Sequence, residues 1–171
     1  MCLRSFCCVS AMALVLGIGC AGPEPDAELT IALQAAREAA AGDSTAGNEA
    51  ISLLDAFVRQ HPTDAGVPQA LMQLAILRQQ QGDMAGAVAD YERILSSFPQ
   101  SDVADESQFM VAFIREEHLA DLDGARSAYQ AVIDNYPTSE LVEQARQLLE
   151  HVGESPDTWV QFQEGIDIVD E

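Results

Sequence analysis

From residue 26 onward, apolar and small residues recur at helical spacing, and Gly, Pro and Asp separate the runs. Strand signals are absent, so the pattern predicts an all-α chain. Capping and breaking residues set the expected limits. The first two helices are expected from Asp26 to Ala41 and from Ser44 or Thr45 to Gln60, and a third has Pro68 in its first turn and ends at Gly82. Asp83 caps the fourth helix, Asp102 opens the fifth, and Asp121 or Asp123 opens the sixth. Ser139 caps a seventh helix that ends at Gly153, and Ser155 to Asp157 begins a further one.

The pattern repeats along the chain. Pro62, Pro99 and Pro137 stand 37 and 38 residues apart, and aligning the chain on them brings other positions into register. We expect the Ala to lie where two helices cross, the large residue one turn later to fill the adjoining space, and the Pro to end the second helix. The agreeing columns are Ala50, Ala87 and Ala125; Leu54, Tyr91 and Tyr129; His61, Phe98 and Tyr136; Val67, Ala104 and Val142; and Ala70, Ser107 and Ala145.

On these columns the chain resembles the tetratricopeptide repeat family. The match is carried by Ala87, Tyr91 and Pro99, by the corresponding Ala125, Tyr129 and Pro137, and more weakly by Ala50, Leu54 and Pro62. The resemblance implies about three antiparallel helix hairpins and a C-terminal capping helix over residues 28–153. Where the family has a second small residue, this chain has Phe57, Ile94 and Val132. This departure and the long repeats resemble a subgroup of bacterial envelope lipoproteins. That subgroup includes the BamD-type and Tol-Pal-associated proteins, but the chain lacks features of each.

The first residues are typical of a secretory signal. Arg4 is followed by an apolar stretch too short to span a bilayer and then by small residues, so residues 1–19 are interpreted as a signal peptide. The run from Leu16 to Cys20 resembles a lipobox, which implies lipidation of Cys20 and leaves residues 20–27 as a tether. Ordinary cleavage near Cys20 is the alternative. By the same resemblance, Ala21 favours the periplasmic face of the outer membrane.

Charge and composition exclude several functions. The net charge is -20, and all eight basic residues are Arg. Nucleic-acid binding is disfavoured, because contacts to phosphate require many Lys and Arg side chains. The acidity indicates either a solvated surface or a basic partner. No catalytic set, metal site, cofactor or small-molecule substrate is predicted. His61 fills a packing column, and the acidic loops at Gly82-Asp83 and Asp121 to Gly124 are interpreted as helix caps.

The first helix of each hairpin is the expected partner-binding element, because these helices line the inner face of such arrays. An alternative is that the apolar members, Met72, Ile76, Phe109 and Phe113, are core. By resemblance, the groove positions are Gln69, Met72, Ile76, Gln79, Gln80, Glu106, Phe109, Phe113, Glu116 and Glu117.

Residues 154–171 form an acidic tail in which Trp159, Phe162 and Ile166 share one helical stripe. The tail is interpreted either as a cap on the last repeat or as a recognition segment. Taken together, the features predict a membrane-anchored, non-enzymatic interaction scaffold of the cell envelope, which binds a protein or an extended peptide. The alternatives are a periplasmic peptide-binding or chaperone-like module and a purely structural spacer.

Overall fold

The computed structural model describes residues 24–39 and 44–154, and in these ranges it contains seven α-helices and no strand. The all-α prediction is therefore confirmed. The predicted end of the first helix at Ala41, and the further helix start at Ser155, lie outside the described residues. The helices are α1 (Pro25–Ala39), α2 (Ser44–Gln60), α3 (Val67–Gln80), α4 (Met84–Ser97), α5 (Ala104–Glu117), α6 (Leu122–Asn135) and α7 (Val142–His151).

The helices pack in chain order as an array of hairpins. Helices α1 and α2, α3 and α4, and α5 and α6 form the three hairpins, and α7 packs against α6. Between hairpins, α3 contacts both helices of the first pair, and α5 contacts α4. This arrangement confirms the predicted tetratricopeptide-like array, in which each hairpin contacts only its neighbours.

The repeated columns form the core. Ala50, Ala87 and Ala125 are fully buried, because only a small side chain lets the paired helices approach closely. One turn later, Leu54, Tyr91 and Tyr129 are buried beside the crossings. Ser107 is the one polar member of the core among the described residues, and its hydroxyl donates to the Val103 carbonyl at 2.6 Å. The column spacing read from the sequence therefore corresponds to real packing.

The three proline loops share one backbone hydrogen-bond pattern. The residue before each Pro donates its N–H to the carbonyl four residues earlier, as Phe98 does to Ile94 at 2.7 Å and Tyr136 to Val132 at 3.0 Å. A Pro in the next position has no N–H with which to extend the helix. The chain therefore ends the second helix of each hairpin at the same point.

Helix starts are capped as predicted in α4 and α6 and differently in α5 and α7. Asp83 and Asp121 each accept the N–H of the residue three positions on, both at 3.0 Å. Asp102 does not cap α5, whose N-cap is Val103, so that prediction is wrong. Ser139 is also not the cap of α7: its hydroxyl accepts from the Leu141 N–H at 3.1 Å within the preceding turn. Helices α5 and α7 therefore both begin without a side-chain hydrogen bond at the N-cap.

Candidate partner-binding surface

One face of α3 carries four side chains that are wholly or partly exposed to solvent. Gln69 and Gln80 are exposed and Gln73 and Ile76 are half-buried, and this spacing of four, three and four residues places all of them along one line of the helix. The matching line on α5 lies 37 residues further on. It consists of Glu106, Met110, Phe113 and Glu117. We call these eight residues the α3/α5 face.

Part of the predicted groove belongs to the core instead. Met72 and Phe109 are buried, and the Phe109 ring meets Tyr129 of α6 edge-on with ring centroids 5.7 Å apart. Both side chains are therefore part of the core and are not open to a partner. For them the core alternative describes the structure, whereas Ile76 and Phe113 retain exposure.

Two further predicted residues bind buried tyrosines. The Gln79 amide donates to the Tyr91 hydroxyl at 2.8 Å, and the Tyr129 hydroxyl donates to the Glu116 carboxylate at 3.1 Å. Burial raises the pKa of Tyr91 to about 12, and it also raises the pKa of Tyr129, which lies beside the Glu116 charge. Gln79 and Glu116 therefore satisfy polar groups that packing removes from water.

Gln73 and Met110 complete the α3/α5 face, and the sequence reasoning missed them. Each lies four residues after an exposed residue that was predicted, Gln69 or Glu106, and three before Ile76 or Phe113. That spacing was the available signal. Met72 and Phe109 instead belong to the neighbouring apolar stripe, which is buried.

The α3/α5 face combines apolar and acidic side chains. Phe113 is 37% exposed and its ring contacts that of His118 edge-on, and Glu106 and Glu117 on the same line of α5 are exposed. The eight residues include no basic side chain. An apolar anchor beside carboxylates and amides suits a partner segment that carries an apolar residue and Arg or Lys.

Nearby arginines are engaged in holding the repeats together. Arg78 of α3 bonds Asp90 of α4 at 2.7 Å and approaches Asp55 of α2 at 3.6 Å, so it links two hairpins. Burial raises the pKa of Asp90 even though the Arg78 charge lowers it. Arg115 of α5 occupies the matching position and contacts Glu92 of α4. Both guanidinium groups are thus engaged with carboxylates of neighbouring helices.

His61 has a structural role between the first two helices. His61 bonds Glu28 at 2.8 Å, and its ring lies 5.2 Å from that of Phe57, which fits the packing role predicted from its column. Within residues 24–39 and 44–154, His, Cys, Asp and Glu side chains do not form a group of three or more that would hold a metal ion. The carboxylates of Asp83 and Asp121 act as the helix caps that the sequence predicted.

The remaining predicted sites fall outside the described residues. They are Cys20 at the N-terminal side and Trp159, Phe162 and Ile166 in the tail. The helices that the structure describes include none that is long and apolar enough to cross a membrane.

Comparison with known proteins agrees with the repeat architecture. Residues 69–101 and 106–139 each match the tetratricopeptide repeat family, and these segments run from the start of α3 and of α5 into the proline loops that follow α4 and α6. Among curated proteins, no sequence matches this chain significantly. Repeats of this family are typical of modules that bind other proteins or peptides. The described residues thus form an all-helical, tetratricopeptide-like array, and residues 69–101 and 106–139 of it match the tetratricopeptide repeat family.

Proposed function

We propose that the protein is a non-enzymatic adaptor of the bacterial cell envelope, which binds one partner protein across the α3/α5 face. The observation that carries this proposal is the exposed Phe113 side chain between Glu106 and Glu117 on one line of α5. An extended or helical segment with one apolar residue and flanking Arg or Lys complements this pattern. Binding energy would come from the buried apolar anchor, and the carboxylates would fix orientation.

Membrane anchoring is the second part of the proposal. The resemblance of Leu16 to Cys20 to a lipobox supports lipidation of Cys20, and the few residues before α1 would then hold the repeats close to the membrane, on the periplasmic face of the outer membrane. Replacing Cys20 by Ala is expected to abolish incorporation of a labelled fatty acid and to release the protein from the membrane fraction. Label that is absent from the unsubstituted chain, or that the variant still incorporates, would contradict lipidation of Cys20.

Site-specific cross-linking in living cells tests the partner-binding face. A photoreactive residue at position 113 is expected to give one dominant adduct, and the same residue at the buried position 109 serves as the matched control. Adding Glu117→Arg should weaken the adduct, because it reverses a charge on the face without touching the core. A broad set of weak adducts would instead favour the chaperone-like alternative. Adducts from position 109 but not from position 113 would refute the proposed face.

A further inference from the structure

A second apolar surface lies at the N-terminal end of the array, on the first hairpin. Ile31 of α1 is 57% exposed, the most exposed large apolar side chain among the described residues. Two cavities of about 440 and 220 Å³ flank it, and both are lined by Ile31 and Leu53 of α2. They therefore form one continuous depression between α1 and α2, which we call the end groove.

The repeat itself indicates what kind of element fits the end groove. Leu53 corresponds to Asp90 in the second hairpin and to Ala128 in the third. Asp90 lies under Arg78 at the junction with the first hairpin and is only 14% exposed, and Ala128 is buried. Leu53 occupies the same column in the first hairpin, but no helix precedes α1 within the part of the chain that the structure describes. In this architecture, the element that packs against this column is a helix.

The rim of the end groove selects the charge of its occupant. Glu28, Glu38 and Glu49 line the cavities, and the described lining residues include no Arg. A second copy would bring the same carboxylates to the interface, and the chain's own residues 155–171 carry only acidic charges. Like charges across an interface oppose association, whereas Arg or Lys would complement this rim.

We propose that the end groove binds an amphipathic helix of another protein, with aliphatic side chains on one face and Arg or Lys on its flanks. The aliphatic side chains contact Ile31 and Leu53, and the basic side chains pair with the exposed Glu38 and Glu49 of the rim. This site is separate from the α3/α5 face, so it gives the protein a second docking surface. It depends neither on the proposed adaptor partner nor on lipidation of Cys20.

The probe is a fluorescein-labelled helical peptide of about 18 residues with Leu at i, i+3, i+4 and i+7 and Arg on both flanks. Its binding to the purified full chain is measured by fluorescence anisotropy. A peptide of the same composition but scrambled order keeps the charge and loses the apolar stripe. The intended peptide is expected to bind ~10-fold or more tightly than the scrambled one, because burial of the stripe is available only to it.

Matched variants locate the binding site. Ile31→Glu is expected to weaken binding ~10-fold or more, since it places a charge among apolar contacts at a position whose exposure spares the fold. Leu119→Glu changes an equally large apolar side chain, 42% exposed, outside the groove and should leave binding unchanged. Phe113→Glu should also leave it unchanged, which separates this site from the α3/α5 face.

Several results would overturn the proposal. Equal binding of the scrambled peptide would indicate attraction by net charge alone. Unchanged binding by Ile31→Glu would place the peptide elsewhere. A dimer that Ile31→Glu dissociates would mean that a second copy fills the groove. Tighter peptide binding after deletion of residues 155–171, or of the residues before α1, would mean that the chain's own segment fills it.

Discussion

The short loops inside the second and third hairpins have a different residue just before the capping aspartate, and this difference predicts opposite effects of two substitutions. Gly82 in the α3–α4 loop has φ of +80°, and Ala120 at the matching place in the α5–α6 loop has φ of +52°. This left-handed region disfavours residues with a Cβ by ~1–2 kcal/mol. Glycine adopts this conformation freely. Compared with alanine, however, it lowers the free energy of unfolding by about 0.4–1 kcal/mol, because it gives the unfolded chain more conformational entropy.

The difference between these terms gives the expected magnitude. Ala120→Gly should increase the free energy of unfolding by about 0.5–1 kcal/mol, and Gly82→Ala should decrease it by a similar amount. Space plays no part at position 82, because a Cβ there would have no heavy atom within 4 Å. Urea denaturation followed by circular dichroism measures both, as a shift of the midpoint at constant slope. If Ala120→Gly destabilises the chain, the left-handed conformation of this loop is not a source of strain.

Three other outcomes follow from the core and the caps. Ala87→Leu should destabilise the chain by about 1–3 kcal/mol in urea denaturation, because the crossing of α3 and α4 has no room for the added atoms. Asp83→Ala should cost about 1 kcal/mol in the same assay through loss of the bond from the Gly86 N–H, and an unchanged midpoint would refute the capping role. Because Tyr91 has a pKa of about 12 in the folded chain and near 10 when unfolded, its contribution is complete below about pH 10 and is lost as the pH rises through 12. Tyr91→Phe should therefore show a smaller loss of stability over that interval, and an identical loss would exclude Tyr91 as a source.

The core and the hairpins could be predicted from the sequence because their determinants are local or periodic. Alanines such as Ala87 and Ala125, with a tyrosine four residues later, recur at fixed distances from a proline. Any helix with this spacing places the two side chains on one face. Where the face meets another helix, burial follows, as it does at Tyr91 and Tyr129.

The candidate surface was predicted only in part, since periodicity fixes the angles between side chains but not the direction of the whole face. Met72 and Gln73 are neighbours in the sequence, yet the first is buried and the second lies on the open line. The choice depends on where α4 and α2 sit relative to α3, which is tertiary information. The exposure of Ile31 could not be predicted for a related reason. An apolar residue at helical spacing on α1 is expected in the core, but among the described residues no helix covers this side of α1.

The extra residue of the 38-residue interval shows why the repeat tolerates a change in length. Helix α5 begins 37 residues after α3, whereas α6 begins 38 residues after α4, so the added residue lies in the α5–α6 loop. The bonds from Gln79 and Glu116 to their tyrosines are kept, because both helices retain their register on either side of the loop. Leu119 is exposed there and displaces nothing in the core. An added residue within α5 would instead rotate every following side chain by about 100° and move Phe113 or its neighbours off the open line. A change in repeat length therefore preserves the open line of α5 only when it falls in a loop.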